Sequence, residues 1–169
     1  MDSDRKHTAC HEAGHAVAFH RLFNNRESGD LTIFPSGGTA GKHQAEALTF
    51  DVDTLIEPAE VEERENEALY SCAGYAALIV SGHSEEVASL GCESDFHCAQ
   101  SNSERSLDIV KDAAVELMKQ PENTRAVALI AGELERRETL DGAHVEVLME
   151  LLDGKLTRDE YENYLQLLE

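Results

Sequence analysis

His11-Glu12-Ala13-Gly14-His15 forms an H-E-x-x-H pattern inside a stretch that reads as helix. Residues four apart share one helical face, so the two imidazoles can hold one divalent ion between them. Glu12 lies one residue round, about 100° away. That puts its carboxylate beside the ion's open position, where it can take a proton from water. A few fixed letters arise by chance in many helices, so context matters. The pattern follows a helix start and precedes the apolar run Ala16-Val17-Ala18-Phe19. Gly14 adds a clue, because glycine inside a helix costs about 1 kcal/mol relative to alanine. A close approach of another backbone would justify it. The competing reading is a helix whose histidines are solvated or satisfied in the core, and it leaves Gly14 without a role.

A catalytic zinc site needs a third protein ligand and one position for water. A metzincin would place glycine three residues and histidine six residues after His15. Ala18 and Arg21 stand there, which excludes that class. A gluzincin would bring a glutamate from a later helix, and Glu85 and Glu86 are candidates on chemistry alone. A third class uses an aspartate at the start of a helix packed across the first. Asp95 fits, preceded by Ser94 and followed by Phe96, Cys98 and Ala99. Its competing role is an acidic charge at a helix N-terminus. The residues themselves leave these alternatives open. His7 lies one turn before His11 and reads as second shell or solvated. His97 points elsewhere on its helix, and His20, His43, His83 and His144 read as surface histidines.

The elements that must position these groups are mostly helical. The first helix should run from Ser3 or Asp4 to about Leu22 or Phe23, followed by a turn at Asn24, Asn25, Ser28 and Gly29. Leu31 to Phe34 is a short β-rich run stopped by Pro35 and Ser36-Gly37-Gly38. Ala47 to Phe50 suits a second short strand. One helix is expected from about Ala59 to Val80, buried over Leu69 to Val80, and a short one over Ser84 to Leu90. Another should extend from Ser94 towards Lys119, with a break at Gln100 to Ser103. Pro121 suits the first turn of a helix reaching about Arg137. Gly142 to Leu152 and Arg158 to Leu168 close the chain, the last with Thr157 and Glu160 as a capping box.

The 169 residues suffice for one domain with a real core. Fourteen basic residues against 34 acidic ones give a net charge of −20, which disfavours nucleic acid, anionic membranes and acidic substrates. No G-x-x-x-x-G-K-[ST] loop occurs, so no nucleotide chemistry is built in. Cys10, Cys72, Cys92 and Cys98 form no C-x-x-C pair. With no signal peptide and no run of membrane-spanning length, a cytoplasmic protein with free thiols is expected. Cys10 stands beside His11 on the helix, a poor direction for a co-ligand, and reads as a small buried side chain.

Thr8-Ala9-Cys10-His11-Glu12-Ala13-Gly14-His15-Ala16 resembles the active-site helix of the FtsH-type ATP-dependent zinc proteases. Four further stretches resemble that family's segments, in its order. Leu31-Thr32-Ile33-Phe34-Pro35-Ser36-Gly37, with Gly41, is similar to its strand and glycine turn beside the cleft. Ala73-Gly74-Tyr75-Ala76-Ala77-Leu78 is similar to its small-residue helix, with Leu78 where the family has glutamate. Ser94-Asp95-Phe96-His97-Cys98-Ala99 resembles the segment that supplies its third ligand, and Glu138-Thr139-Leu140-Asp141-Gly142 its late turn. The likeness spans nearly the whole chain. The family's membrane anchor and ATPase module have no counterpart in it. The segment from Ala47 to Glu65 is longer and more acidic than the family's, and the region after Ala99 is shorter.

The resemblance implies Zn²⁺ held by His11, His15 and Asp95, with Glu12 as general base. Ile33, Phe34 and Gly37 then become substrate-binding candidates, the strand pairing with an extended substrate by edge addition. The fold expected is mainly α, a single helical zinc-metallopeptidase domain over residues 1–169 with a small β element near residues 31–50. The expected function is endopeptidase action on peptides or unfolded protein, without an ATPase of its own. A separate ATPase is a conceivable feeder of substrate, and the sequence leaves homo-oligomer formation open. The alternative is a zinc-binding regulatory or interaction domain with little or no turnover. A purely structural helical adaptor comes third.

Overall fold

A computed structural model describes residues 2–23, 26, 28–34, 42–43 and 58–167. In chain order these form α1 (Asp2–Leu22), β1 (Leu31–Thr32), β2 (Lys42–His43), α2 (Pro58–Ser71), α3 (Ala73–Val80) and α4 (Glu85–Ala88). There follow α5 (Glu93–Asn102), α6 (Leu107–Met118), α7 (Pro121–Arg137), β3 (Thr139–Leu140), α8 (Gly142–Leu152) and α9 (Arg158–Leu167). The protein is mainly α with one small antiparallel sheet, as its helical periodicities predict.

From Thr8 to Phe19 every residue of α1 except His11 is buried. A helix without a polar face belongs inside a fold, and α1 lies at the centre, with α3 and α7 packed along it. Small residues set the spacing. A Cβ added at Gly14 would lie 2.5 Å from the Ala73 carbonyl oxygen and 2.6 Å from the Ala77 Cβ. This is the close backbone approach that Gly14 called for. Around α1 the core is filled by Leu78, Val110, Met118, Ile130, Leu134 and Leu148, all fully buried. Each contributes about 1.5–3 kcal/mol relative to exposure.

The single helix expected over 59–80 is two. Ser71 Oγ donates to the Glu67 carbonyl at 2.8 Å, and the Cys72 N–H is shared between the carbonyls of Ala68 and Leu69. Such side-chain and bifurcated bonds tighten and end a helix. Leu69 to Val80 is nevertheless as sheltered as its composition suggests, with Ser71 to Leu78 buried throughout. The break between α5 and α6 follows the polar run as expected. Ser101 Oγ and Asn102 Nδ2 donate back to the carbonyls of His97 and Cys98. At α9 the capping box is formed in both directions, Thr157 N–H to Glu160 Oε2 at 2.8 Å and Glu160 N–H to Thr157 Oγ1 at 3.3 Å.

The sheet corrects two expectations. Its strand order is β2-β1-β3, with Leu31 opposite both His43 and Leu140. Strand β1 is therefore central and offers no free edge at Leu31–Thr32. The Ile33 N–H is also taken, by the Glu138 carbonyl at 3.1 Å. Strand β3 comes from the segment read as a late turn. Glu138, at φ 67°, turns the chain out of α7 directly into pairing. The strand expected at Ala47 to Phe50 lies outside the described residues, as do Asn24 and Asn25 of the first turn.

Candidate metal centre

Two elements bring the centre together. Helix α1 presents His11 and His15 one turn apart, and the first turn of α5 presents Asp95. His11 Nε2 lies 3.0 Å from His15 Nε2. Asp95 Oδ2 lies 3.3 Å from the first and 3.5 Å from the second. A tetrahedral ion with bonds of 2.0–2.1 Å spaces its donors about 3.3 Å apart. The three atoms thus form one face of such a coordination shell, and His11, His15 and Asp95 could hold a metal ion. Among the described residues no other His, Cys, Asp and Glu side chains converge in this way.

The surroundings fit that donor set. His15 Nδ1 lies 3.0 Å from the Tyr70 carbonyl oxygen. A carbonyl only accepts, so Nδ1 carries the proton and Nε2 faces Asp95; burial disfavours the charged ring, but Asp95 outweighs it and raises the His15 pKa. A continuous α2–α3 helix would commit that carbonyl to the Gly74 N–H. The break at Cys72 gives it to His15. His11 Nδ1 lies 3.9 Å from Cys92 Sγ, whose own S–H donates to the Ala88 carbonyl at 3.3 Å. Burial disfavours the charged form of His11 and lowers its pKa, which suits a neutral metal-ligating imidazole. Burial alone would raise the Asp95 carboxyl, but the His11 and His15 imidazoles beside it outweigh that and hold Asp95 well below the usual carboxylate range. Burial pushes the Cys72 and Cys92 thiols up to about 12, so neither offers a ready thiolate ligand.

Glu12 is 5% exposed, and its charge acts on both His15 and Tyr70. The alternative ligands are elsewhere. Glu85 pairs with Lys111 at 3.0 Å, Glu86 is exposed, and neither joins the three donors. Asp95 is steadied through its neighbour. The Phe96 ring stands edge-on to Tyr75 at 5.6 Å, and Lys111 Nζ sits over both rings, 4.3 Å from Tyr75 and 5.2 Å from Phe96. Cation–π contacts of this kind clamp α5 and α6 against α3.

Of the substrate-binding candidates, Ile33 is buried in the core, Phe34 is 53% exposed, and Gly37 lies outside the described residues. The core position of Ile33, with its N–H already bonded, corrects its assignment as a free edge for substrate. His7 stands edge-on to His83 at 5.7 Å and does not join the three donors. His144, expected at the surface, is buried beside Tyr161.

Sequence reasoning missed Tyr70 and Cys92 as partners of the histidines. A backbone carbonyl has no sequence signature, and only the packing of α4 on α3 and of α5 on α2 and α6 brings Cys92 near His11. No helix among the described residues is long and apolar enough to cross a membrane. No family model matches the chain, and no curated protein matches it.

Proposed function

We propose that this chain is a zinc-dependent endopeptidase that cleaves peptides or unfolded protein. The observation that carries the reading is the convergence of His11, His15 and Asp95 on one face of a tetrahedral shell, with the buried Glu12 next to His11 on the same helix. Two imidazole nitrogens and one carboxylate oxygen suit zinc, and three protein ligands leave a position open for chemistry. The ion would supply Lewis acidity toward a scissile carbonyl and toward water.

Tyr70 and Cys92 orient the two imidazoles, and Asp95 contributes the negative charge that offsets the cation. Glu12 takes the proton of the attacking water and delivers it to the leaving amide nitrogen as the C–N bond breaks. The resemblance of the α1, α3 and α5 motifs to FtsH-type peptidases supports these roles. The absence of a phosphate loop from the sequence supports action on substrates that are already unfolded or delivered by another protein. The net charge of −20 favours neutral or basic segments over acidic ones.

The test is zinc content together with cleavage of an unfolded protein, compared between wild type and Glu12→Gln. Zinc in both with cleavage by wild type alone is the expected result. Equal cleavage by both overturns the role of Glu12. Bound zinc with cleavage by neither favours a regulatory zinc domain, and absence of zinc from both overturns the metal reading.

A further inference from the structure

We propose that Gly74 is a positioning residue for the metal centre, its missing side chain being what seats the His11 imidazole. The inference rests on the reading of His11 as a ligand. Helix α3 crosses α1 so closely that a Cβ at Gly74 would lie 2.5 Å from His11 Cε1, 2.5 Å from Nδ1 and 2.7 Å from Nε2. Ordinary contact begins near 3.4 Å, so the ring would have to retreat by about 0.9 Å. Metal–ligand distances hold to about ±0.2 Å, so a retreat of that size removes Nε2 as a donor.

The ring has no direction in which to retreat and keep its partners. His15 stands against it with ring centroids 4.7 Å apart, Cys92 Sγ is at Nδ1, and Asp95 Oδ2 is at Nε2. Helix α3 is held in place independently, because Gly14 lets the Ala73 carbonyl and Ala77 press onto α1 one turn away. The imidazole is the far end of a side chain with two rotatable bonds, so it yields before the helix backbone does. Gly74 therefore acts on the metal through His11, separately from the helix packing served by Gly14.

A double-mutant cycle on the full chain tests this, with Gly74→Ala, His11→Ala and the pair, and Gly132→Ala as a control. Gly132 is also helical, and a Cβ there would meet nothing within 4 Å. Zinc affinity is read by competition with a chromogenic chelator, and fold by circular dichroism and thermal melting of the metal-free protein. Gly74→Ala should keep the helical signal and lose zinc affinity by roughly 100-fold or more, beyond the 10–100-fold effect of an outer-shell partner. Gly132→Ala should bind as wild type does. A folded Gly74→Ala within about threefold of wild type overturns the proposal.

If Gly74→Ala fails to fold, the pair decides. A folded His11→Ala/Gly74→Ala shows that the methyl group meets the ring, and an unfolded one overturns the proposal. Wild type that binds no zinc would overturn the metal reading alone, since the melting arm still reports whether Gly74→Ala is harmful only when the His11 ring is present.

Discussion

The Tyr70 carbonyl and His15 Nδ1, 3.0 Å apart, join the end of α2 to the metal-facing side of α1. The contact sets the tautomer of His15 and uses the carbonyl that the break at Cys72 turns toward α1. It also holds the His15 ring through a backbone group that side-chain substitution leaves in place.

Asp95→Ala should strip the centre of its carboxylate donor. The purified wild type should hold about one zinc per chain, and the variant should lose most of it on dialysis against a weak chelator. Glu86→Ala should retain wild-type zinc, because Glu86 is exposed on α4 and apart from the donors. The reverse pattern, read by metal analysis, would move the third ligand to α4.

Glu12→Gln should keep zinc and fold while hydrolysis of an unfolded substrate falls about 10²–10⁴-fold, the usual worth of a general base. The amide is nearly the same size but cannot accept the proton. Single-turnover cleavage at saturating substrate separates this loss from a change in binding.

Cys92→Ala should weaken zinc retention by about 10-fold, because His11 Nδ1 loses its neighbour while all three donors remain. Chelator competition should rank it between wild type and Asp95→Ala. An affinity equal to wild type would show that the 3.9 Å thiol contact does not orient His11.

Cleavage of a permanently unfolded substrate should proceed without ATP. The chain carries no phosphate-binding loop. Strict dependence of the pure protein on ATP hydrolysis, measured with and without a non-hydrolysable analogue, would contradict this.

His144 should make the fold sensitive to acid. Burial, reinforced by Arg137 and Arg136 and opposed by Glu133 and Asp141, lowers its pKa from the ordinary 6.5. The unfolded chain then binds the proton more readily, so stability is present above pH 6.5 and declines as pH falls from there through the lower folded-state pKa. Melting temperatures between pH 7.5 and 5 should fall more steeply for wild type than for His144→Phe. Parallel slopes would remove His144 as the cause.

The H-E-x-x-H helix, its Glu12, most later helices and the N-terminal capping box of α9 were legible in the sequence, because helical periodicity, Pro121, and Thr157 with Glu160 act over one or two turns. Gly14 even announced the close approach of α3. Asp95 stood open against Glu85 and Glu86 on residue chemistry, and the family resemblance favoured it. Tertiary structure alone put its carboxylate within 3.5 Å of both imidazoles, since contact across 80 residues depends on how α5 packs against α2 and α6. The same holds for the central place of β1, decided by a turn at Glu138 whose left-handed backbone no local pattern required. Local rules fix which residues share a face. Which faces meet is fixed by burial of the whole core, and Tyr70, Gly74 and Cys92 gain their places around the histidines only then.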